Sequence, residues 1–120
     1  MDTIRELKTY FRTLTSASRL RIVEQLARGE LSVGELASQL NMSQPLVSWH
    51  LRDLRRLNLV QMRRTGRQAF CSLNRQRVAD YQQLFDDLLN AMEDGGRKTE
   101  ATLPIRRTSS VFHHLPHKGE

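Results

Sequence analysis

The stretch 32–52 constrains the fold most, because it carries the start and stop signals of two short helices joined by a tight turn. Ser32 and Glu35 have the spacing of a capping box at the start of a helix. Asn41 follows the apolar stripe of that helix, and asparagine tolerates the left-handed conformation that ends one. Ser43 is a good N-cap for a second helix. The stretch is therefore predicted to form a helix-turn-helix.

The second helix of this motif has one apolar and one polar face. Apolar positions that recur at i, i+3, i+4 and i+7 are predicted to face the core: Val47, His50, Leu51 and Leu54. The opposite face consists of Gln44, Ser48, Trp49, Arg52, Arg55 and Arg56. Such motifs place a polar, basic outer face in the major groove of DNA. We predict that this face contacts double-stranded DNA.

Positive charge is concentrated in this helix and in the segment that follows it. The chain has a net charge of +6, yet positions 52–77 alone contain eight arginines and a single acid, Asp53. Arginine forks onto phosphate or guanine, so an all-arginine cluster favours a nucleic-acid partner. The alternative is a basic face that serves only to interact with solvent.

A β-hairpin is predicted directly after the recognition helix. Two short runs, 59–64 and 68–73, flank the turn signal Thr65-Gly66. A basic hairpin at this place is the wing of a winged helix. Near Leu31 the connection is short, and at most an isolated strand bridge is expected there.

The rest of the domain is predicted to be helical, which gives a mainly α-helical fold with a small β-hairpin. Helices are expected over 2–14, 17–28 and 76–93. In the second of these, Leu20, Val23 and Ala27 form one apolar row, and Ile22 and Leu26 widen it.

The first and last helices carry more apolar surface than a domain of this size needs. They are predicted to form a homodimer interface through Ile4, Leu7, Phe11, Tyr81, Phe85, Leu88 and Met92. The alternative is that this stripe closes the core of a monomer. From position 95 the chain is polar and holds two of its three prolines, so we predict a domain over 1–94 and a mostly disordered tail over 95–120.

Several function classes are disfavoured by composition. The single cysteine, Cys71, rules out an intrachain disulfide and suggests a reducing compartment. No apolar run approaches the length of a membrane span, and no signal-peptide core is visible, so a cytoplasmic protein without a membrane partner is expected. No phosphate-binding glycine loop or catalytic signature occurs. We therefore expect neither an enzyme nor a cofactor.

Residues 4–92 resemble the ArsR/SmtB family of bacterial winged-helix repressors. The most specific match is Ser-Gln-x-x-Val-Ser-x-His-Leu, beginning at Ser43 and followed by the Gly66-Arg67 hairpin; the segments 11–22 and 31–37 add to it. The resemblance implies a dimer through the first and last helices. It also implies repression, in which the dimer binds a palindromic operator and an inducer lowers its affinity for DNA.

The resemblance also implies roles for individual residues. Major-groove contacts fall to Gln44, Ser48, Trp49 and Arg52, and a phosphate contact falls to Ser43. On the wing, Arg64 and Arg67 reach the adjacent backbone or minor groove. His50 matches an inward-facing histidine, expected to be hydrogen-bonded in the core. For Trp49, apolar contact with a thymine methyl or a sugar competes with packing on a neighbouring arginine.

The metal-ligand positions of many relatives look lost here. A Cys-x-Cys site would fall on Ser32 and Gly34, and a site on the last helix would fall on Arg75, Arg77, Leu88 and Ala91. Cys71 is expected to be a passive small apolar residue. Two alternatives remain: a metal-responsive regulator that uses the tail histidines His113, His114 and His117, or a regulator controlled by a partner protein. No inducer is assigned.

Overall fold

A computed structural model of the protein describes residues 2–94, with the backbone alone for 92–94. Two predictions lie outside the described residues: the disordered tail over 95–120, and the metal site at His113, His114 and His117. The chain divides into two compact units after Asp87. The first contains every element up to that point, and the described part of the second is the C-terminal end of the last helix. The domain boundary at 94/95 stays a prediction.

Five helices and three short strands make up the described chain. The helices are α1 Thr3–Leu14, α2 Ala17–Leu26, α3 Val33–Leu40, α4 Gln44–Arg56 and α5 Arg75–Asp94; the strands are β1 Leu31–Ser32, β2 Val60–Thr65 and β3 Gln68–Leu73. This is the predicted winged helix-turn-helix architecture.

The helix-turn-helix of α3 and α4 is built by the caps expected from the sequence. Ser32 Oγ accepts a hydrogen bond from the Glu35 amide at 3.0 Å, and the Glu35 carboxylate accepts one from the Ser32 amide at 2.8 Å. Asn41 ends α3 in the left-handed conformation, with φ 57°. Ser43 Oγ then accepts from the Leu46 amide and starts α4. The capping box, the turn and the second cap are therefore confirmed.

The wing is the β2–β3 hairpin, in a register that runs from Val60 opposite Leu73 to Thr65 opposite Gln68. Gly66 takes the positive φ, 63°, that its turn requires. The expectation of an isolated strand bridge at Leu31 was wrong. Leu31 and Ser32 form β1, which pairs with β3 and gives a three-stranded antiparallel sheet of order β1-β3-β2. Ser32 is extended as the N-cap of α3, so the same backbone conformation serves both the strand and the cap.

The core lies between α1–α4 and the sheet. The most deeply buried side chains are Ile22, Leu36, Val47, Leu51, Leu54, Leu59, Val60 and Cys71. The apolar stripe predicted for α2 is buried along only one of its two rows: Ile22 and Leu26 are buried, whereas Leu20 and Ala27 are exposed. Both rows have helical spacing, so the sequence does not decide which one is buried. The packing of α2 against α3 and α4 decides it.

The capping box gives a first prediction. Replacing the buried Ser32 with alanine leaves the Glu35 amide without its acceptor, so the free energy of unfolding should fall by about 1 kcal/mol. Ser38→Ala, on the exposed side of α3, is the matched control and should leave stability unchanged or slightly higher. Urea unfolding of both variants measures this, and equal effects would contradict the capping role.

Candidate nucleic-acid interface

Helix α4 is anchored by one side and exposed on the other. Its inner side chains, Val47, His50, Leu51 and Leu54, are buried as predicted. The six residues predicted for the outer face are all exposed: Gln44, Ser48, Trp49, Arg52, Arg55 and Arg56. Ser43 is also exposed, at the N-terminal end of the helix. The helix therefore presents a basic and polar surface on a rigidly packed base.

The wing lies beside the N-terminal half of α4. A cleft of about 350 Å³ lies between them, lined by Gln44 and Ser48 of α4 and by Arg64 and Arg67 of the wing. The structure thus brings together four predicted site residues from two separate segments. Two guanidinium groups beside amide and hydroxyl groups can donate several hydrogen bonds to phosphate oxygens.

Three of the eight arginines between positions 52 and 77 belong to the fold instead. Arg63 binds both carboxylate oxygens of Glu30, at 3.0 and 2.9 Å, and these hydrogen bonds lower the pKa of Glu30. Arg75 donates to the Ala27 carbonyl at 2.7 Å, and Arg77 to the Leu57 carbonyl at 3.2 Å.

Five arginines remain for the interface. They are Arg52, Arg55, Arg56, Arg64 and Arg67, the five that the sequence assigned to DNA. Within residues 2–94, the single ion pair among them is a 3.4 Å contact from the exposed Arg56 to Asp53.

Arg19 of α2 is the residue that the sequence analysis missed. Its guanidinium donates to His50 Nδ1 at 3.2 Å, to the Thr13 carbonyl at 3.2 Å and to the Asp53 carboxylate, and it lies 5.6 Å from the centre of the Trp49 ring. Arg19 is 30 or more residues from its α4 partners in sequence, so no local spacing reveals the contact.

His50 and Trp49 both contact Arg19, and these contacts test what the sequence predicted for the two side chains. His50 is the buried, hydrogen-bonded core histidine that was expected. Burial, followed by the charge of Arg19, lowers the pKa of His50, and Asp53 opposes this shift. Trp49 packs on an arginine and still leaves 50% of its surface exposed. It therefore keeps apolar surface available for a ligand.

Neither Cys71 nor Ser32 and Gly34, where relatives were expected to hold a metal, offers a reactive or metal-binding group in the described chain. Cys71 is fully buried in β3, and burial raises the pKa of its thiol to about 11. Ser32 is occupied as a helix cap, and Gly34 has no side chain. Among residues 2–94, no group of three or more His, Cys, Asp or Glu side chains is arranged to hold a metal ion.

The predicted dimer residues divide into two groups. Ile4, Phe11 and Phe85 are exposed, and the Phe11 and Phe85 rings meet edge to face at 5.5 Å. Leu7 and Tyr81 are buried within the chain, and the Tyr81 ring stacks on Tyr10. These two therefore offer little surface to a second subunit. Leu88 is partly exposed, and the side chain of Met92 is not described.

No helix of the described chain is both long and apolar enough to cross a membrane.

Comparisons with known proteins agree with this geometry. A family model described as "Bacterial regulatory protein, arsR family" matches residues 16–62. A "Transcriptional repressor SmtB homolog" of Synechocystis is 38% identical over 89 residues, which cover 73% of this chain and 67% of the relative. An "Arsenical resistance operon repressor" of Staphylococcus xylosus is 33% identical and covers 76% of this chain and 86% of the relative. The crystal structure of the transcriptional repressor BigR from Xylella fastidiosa superposes with a TM-score of 0.57 at 33% identity, covering 69% of this chain and 86% of BigR.

The environment of His50 gives a prediction about pH. Because the pKa of His50 is lowered in the folded chain, the unfolded chain binds a proton at a higher pH than the folded one does. The free energy of unfolding should therefore decrease as the pH falls through the ordinary histidine pKa of about 6.5. Chemical unfolding between about pH 7.5 and 5.5 measures the slope. His50→Gln retains the other three histidines and should show a flatter profile; identical slopes would refute the assignment.

Proposed function

Because the chain belongs to the ArsR family of bacterial regulatory proteins, we propose that it is a homodimeric transcriptional repressor that binds a specific DNA operator. The family is one of transcriptional regulators, which are not enzymes. One observation carries the proposal: the exposed polar and basic face of α4 lies beside the arginines of the wing, and together they line one cleft. The opposite side of α4 is buried in the core. DNA binding of this kind implies a cytoplasmic location.

The proposed contacts follow from the position of each side chain on α4. The helix enters the major groove with Gln44, Ser48, Trp49 and Arg52 towards the base edges. An arginine fork binds guanine, and an indole edge suits a thymine methyl. Ser43 reaches a phosphate from the helix N-terminus, where backbone N–H groups favour an anion. Arg55 and Arg56, at the far end of the helix, contact the backbone.

The wing supplies the sequence-independent contacts. Arg64 and Arg67 lie across the cleft from the start of α4. We assign them to the adjacent backbone or minor groove, where each neutralised phosphate releases counterions and strengthens binding at low salt.

The proposed dimer is formed by apolar residues of α1 and α5, chiefly the exposed Ile4, Phe11 and Phe85 and the partly exposed Leu88. Exposed aromatic side chains in contact with each other, such as Phe11 and Phe85, are typical of an interface between subunits. Met92 stays part of the proposed interface, while Leu7 and Tyr81 support it from within the core. Two recognition helices related by a two-fold axis read half-sites about one helical turn apart, so the operator should be an imperfect palindrome.

Selection of duplexes from a random pool tests the function directly. The full chain is incubated with the pool, bound duplexes are amplified, and footprints are compared with the upstream region of its own gene; a structured RNA serves as the competitor. Recovery of a palindromic site supports the proposal. Equal affinity for random duplexes, or preference for the RNA, would overturn it.

Alanine variants of Arg52 and Arg64 should lose different contacts with DNA, a base contact in the first and a phosphate contact in the second. Arg52→Ala should cost about 1–3 kcal/mol of preference for the selected duplex over random DNA. Arg64→Ala should instead weaken binding to both by the same factor and reduce the salt slope by about 1. Arg21→Ala removes an exposed charge from α2 and is the control for net charge. Fluorescence anisotropy at several salt concentrations measures these effects, and an equal loss on both duplexes for Arg52→Ala would contradict its base contact.

The dimer surface is tested by placing a charge on it. Ile4 is 60% exposed, so Ile4→Lys should leave the chain folded but weaken the dimer, because a lysine would be desolvated at the interface. Thr9→Lys adds the same charge on another side of α1. Analytical ultracentrifugation should show a larger monomer fraction for Ile4→Lys alone. If both variants remain dimeric, Ile4 lies outside the interface.

A further inference from the structure

Arg19 of α2 connects this helix to α1 and to the recognition helix α4. Its side chain extends from the first turn of α2, and its three N–H directions point to α1 and α4: to the Thr13 carbonyl, to His50 Nδ1 and to the Asp53 carboxylate. The side chain is only 14% exposed. A planar guanidinium is well suited to this arrangement, because its donors have fixed directions.

The partners of Arg19 lie along the side of α4 that borders the predicted DNA face. His50 and Asp53 are three residues apart on the helix, so together they define the rotation of α4 about its axis. Trp49, which precedes His50, is on the exposed face and lies 5.6 Å from the guanidinium carbon. One side chain therefore contacts both the buried edge of α4 and the aromatic ring proposed to meet the bases.

Attachment of α4 to the domain does not depend on this contact. Val47, Leu51 and Leu54 are almost completely buried and pack the helix against the core. Such apolar packing holds a helix in place, whereas directional hydrogen bonds select one orientation. Loss of these hydrogen bonds should therefore change the orientation of α4, while the helix stays folded and packed on the core.

We propose that Arg19 is a positioning residue for DNA recognition, which sets the orientation of α4 and of the Trp49 ring without contacting DNA. The inference rests on the proposed function. It goes further in assigning part of the operator preference to an α2 residue that lies off the DNA face. Preference for the operator should depend on Arg19, whereas phosphate contacts by the wing should not.

Arg19→Lys is the most informative variant, because it keeps the charge and the aliphatic stem but cannot make the three directed bonds. The ratio of affinities for the selected duplex and for random DNA should fall about tenfold, the scale of one lost base contact. Affinity for random DNA and its salt slope should stay unchanged. Arg21→Lys, an exposed position two residues along α2, is the matched control.

A second readout needs no DNA. Trp49 is the only tryptophan of the chain, so its fluorescence reports this site alone. Arg19→Lys should make the ring more accessible to acrylamide and shift its emission, while Arg21→Lys should change neither. Unchanged quenching and an unchanged affinity ratio would overturn the proposal. If wild type prefers no duplex, the function proposal fails, and the quenching result still decides whether Arg19 positions Trp49.

Asp53→Asn separates positioning from folding, because it weakens the strongest partner of Arg19 and leaves the guanidinium in place. The affinity ratio should fall in the same direction. Combining it with Arg19→Lys should cost less than the sum of the two single changes, since both disturb the ion pair between Arg19 and Asp53. Fully additive losses would show that Arg19 and Asp53 act independently and would overturn their coupling. A loss of affinity for both duplexes that matches the unfolded fraction measured by circular dichroism would show that Arg19 acts only through stability.

Discussion

The burial of one side of α4 is the constraint on which the rest of the structure depends. Val47, Leu51 and Leu54 are removed from water against α2, α3 and the sheet, and His50 joins them with its ring hydrogen-bonded. A helix that buries one side in the core of a small domain exposes the opposite side to solvent. Polar and basic residues on that opposite side thus become a surface of fixed shape, and the flanking wing extends it.

The same side chain, arginine, performs two different tasks in this small domain. Arg63, Arg75 and Arg77 donate to a carboxylate or to backbone carbonyls and tie the wing and α5 to neighbouring elements. Arg52, Arg55, Arg64 and Arg67 make no ion pair within residues 2–94 and keep their donors for a ligand. The difference is one of partners, because the guanidinium is always charged and satisfies whichever acceptors lie within reach.

A similar division separates core from surface at α1 and α5. Leu7, Tyr10 and Tyr81 close the monomer, with the two tyrosine rings stacked at 4.2 Å, and burial raises the pKa of Tyr10. Ile4, Phe11 and Phe85 continue the same stripe outward. Core closure therefore applies to one set of residues in the stripe, and the proposed dimer interface to another. Thr13, one turn beyond Tyr10, connects this end of the domain to Arg19 and so to α4.

Local spacing in the sequence by itself determined the two caps, the left-handed turn at Asn41, both faces of α4 and the hairpin, because each depends on residues within about one or two turns. The assignment of Arg52, Arg55 and Arg56 to the outer face followed from that same periodicity, whereas the assignment of Arg64 and Arg67 to DNA came from the family resemblance. Tertiary structure alone decided that β1 pairs with β3, that Ile22 and not Leu20 is buried, and that Arg63 binds Glu30. It also placed Arg19 against His50, Asp53 and Trp49. These contacts join residues 30 or more positions apart, or choose between two equally apolar rows. The packing of complete elements decides both.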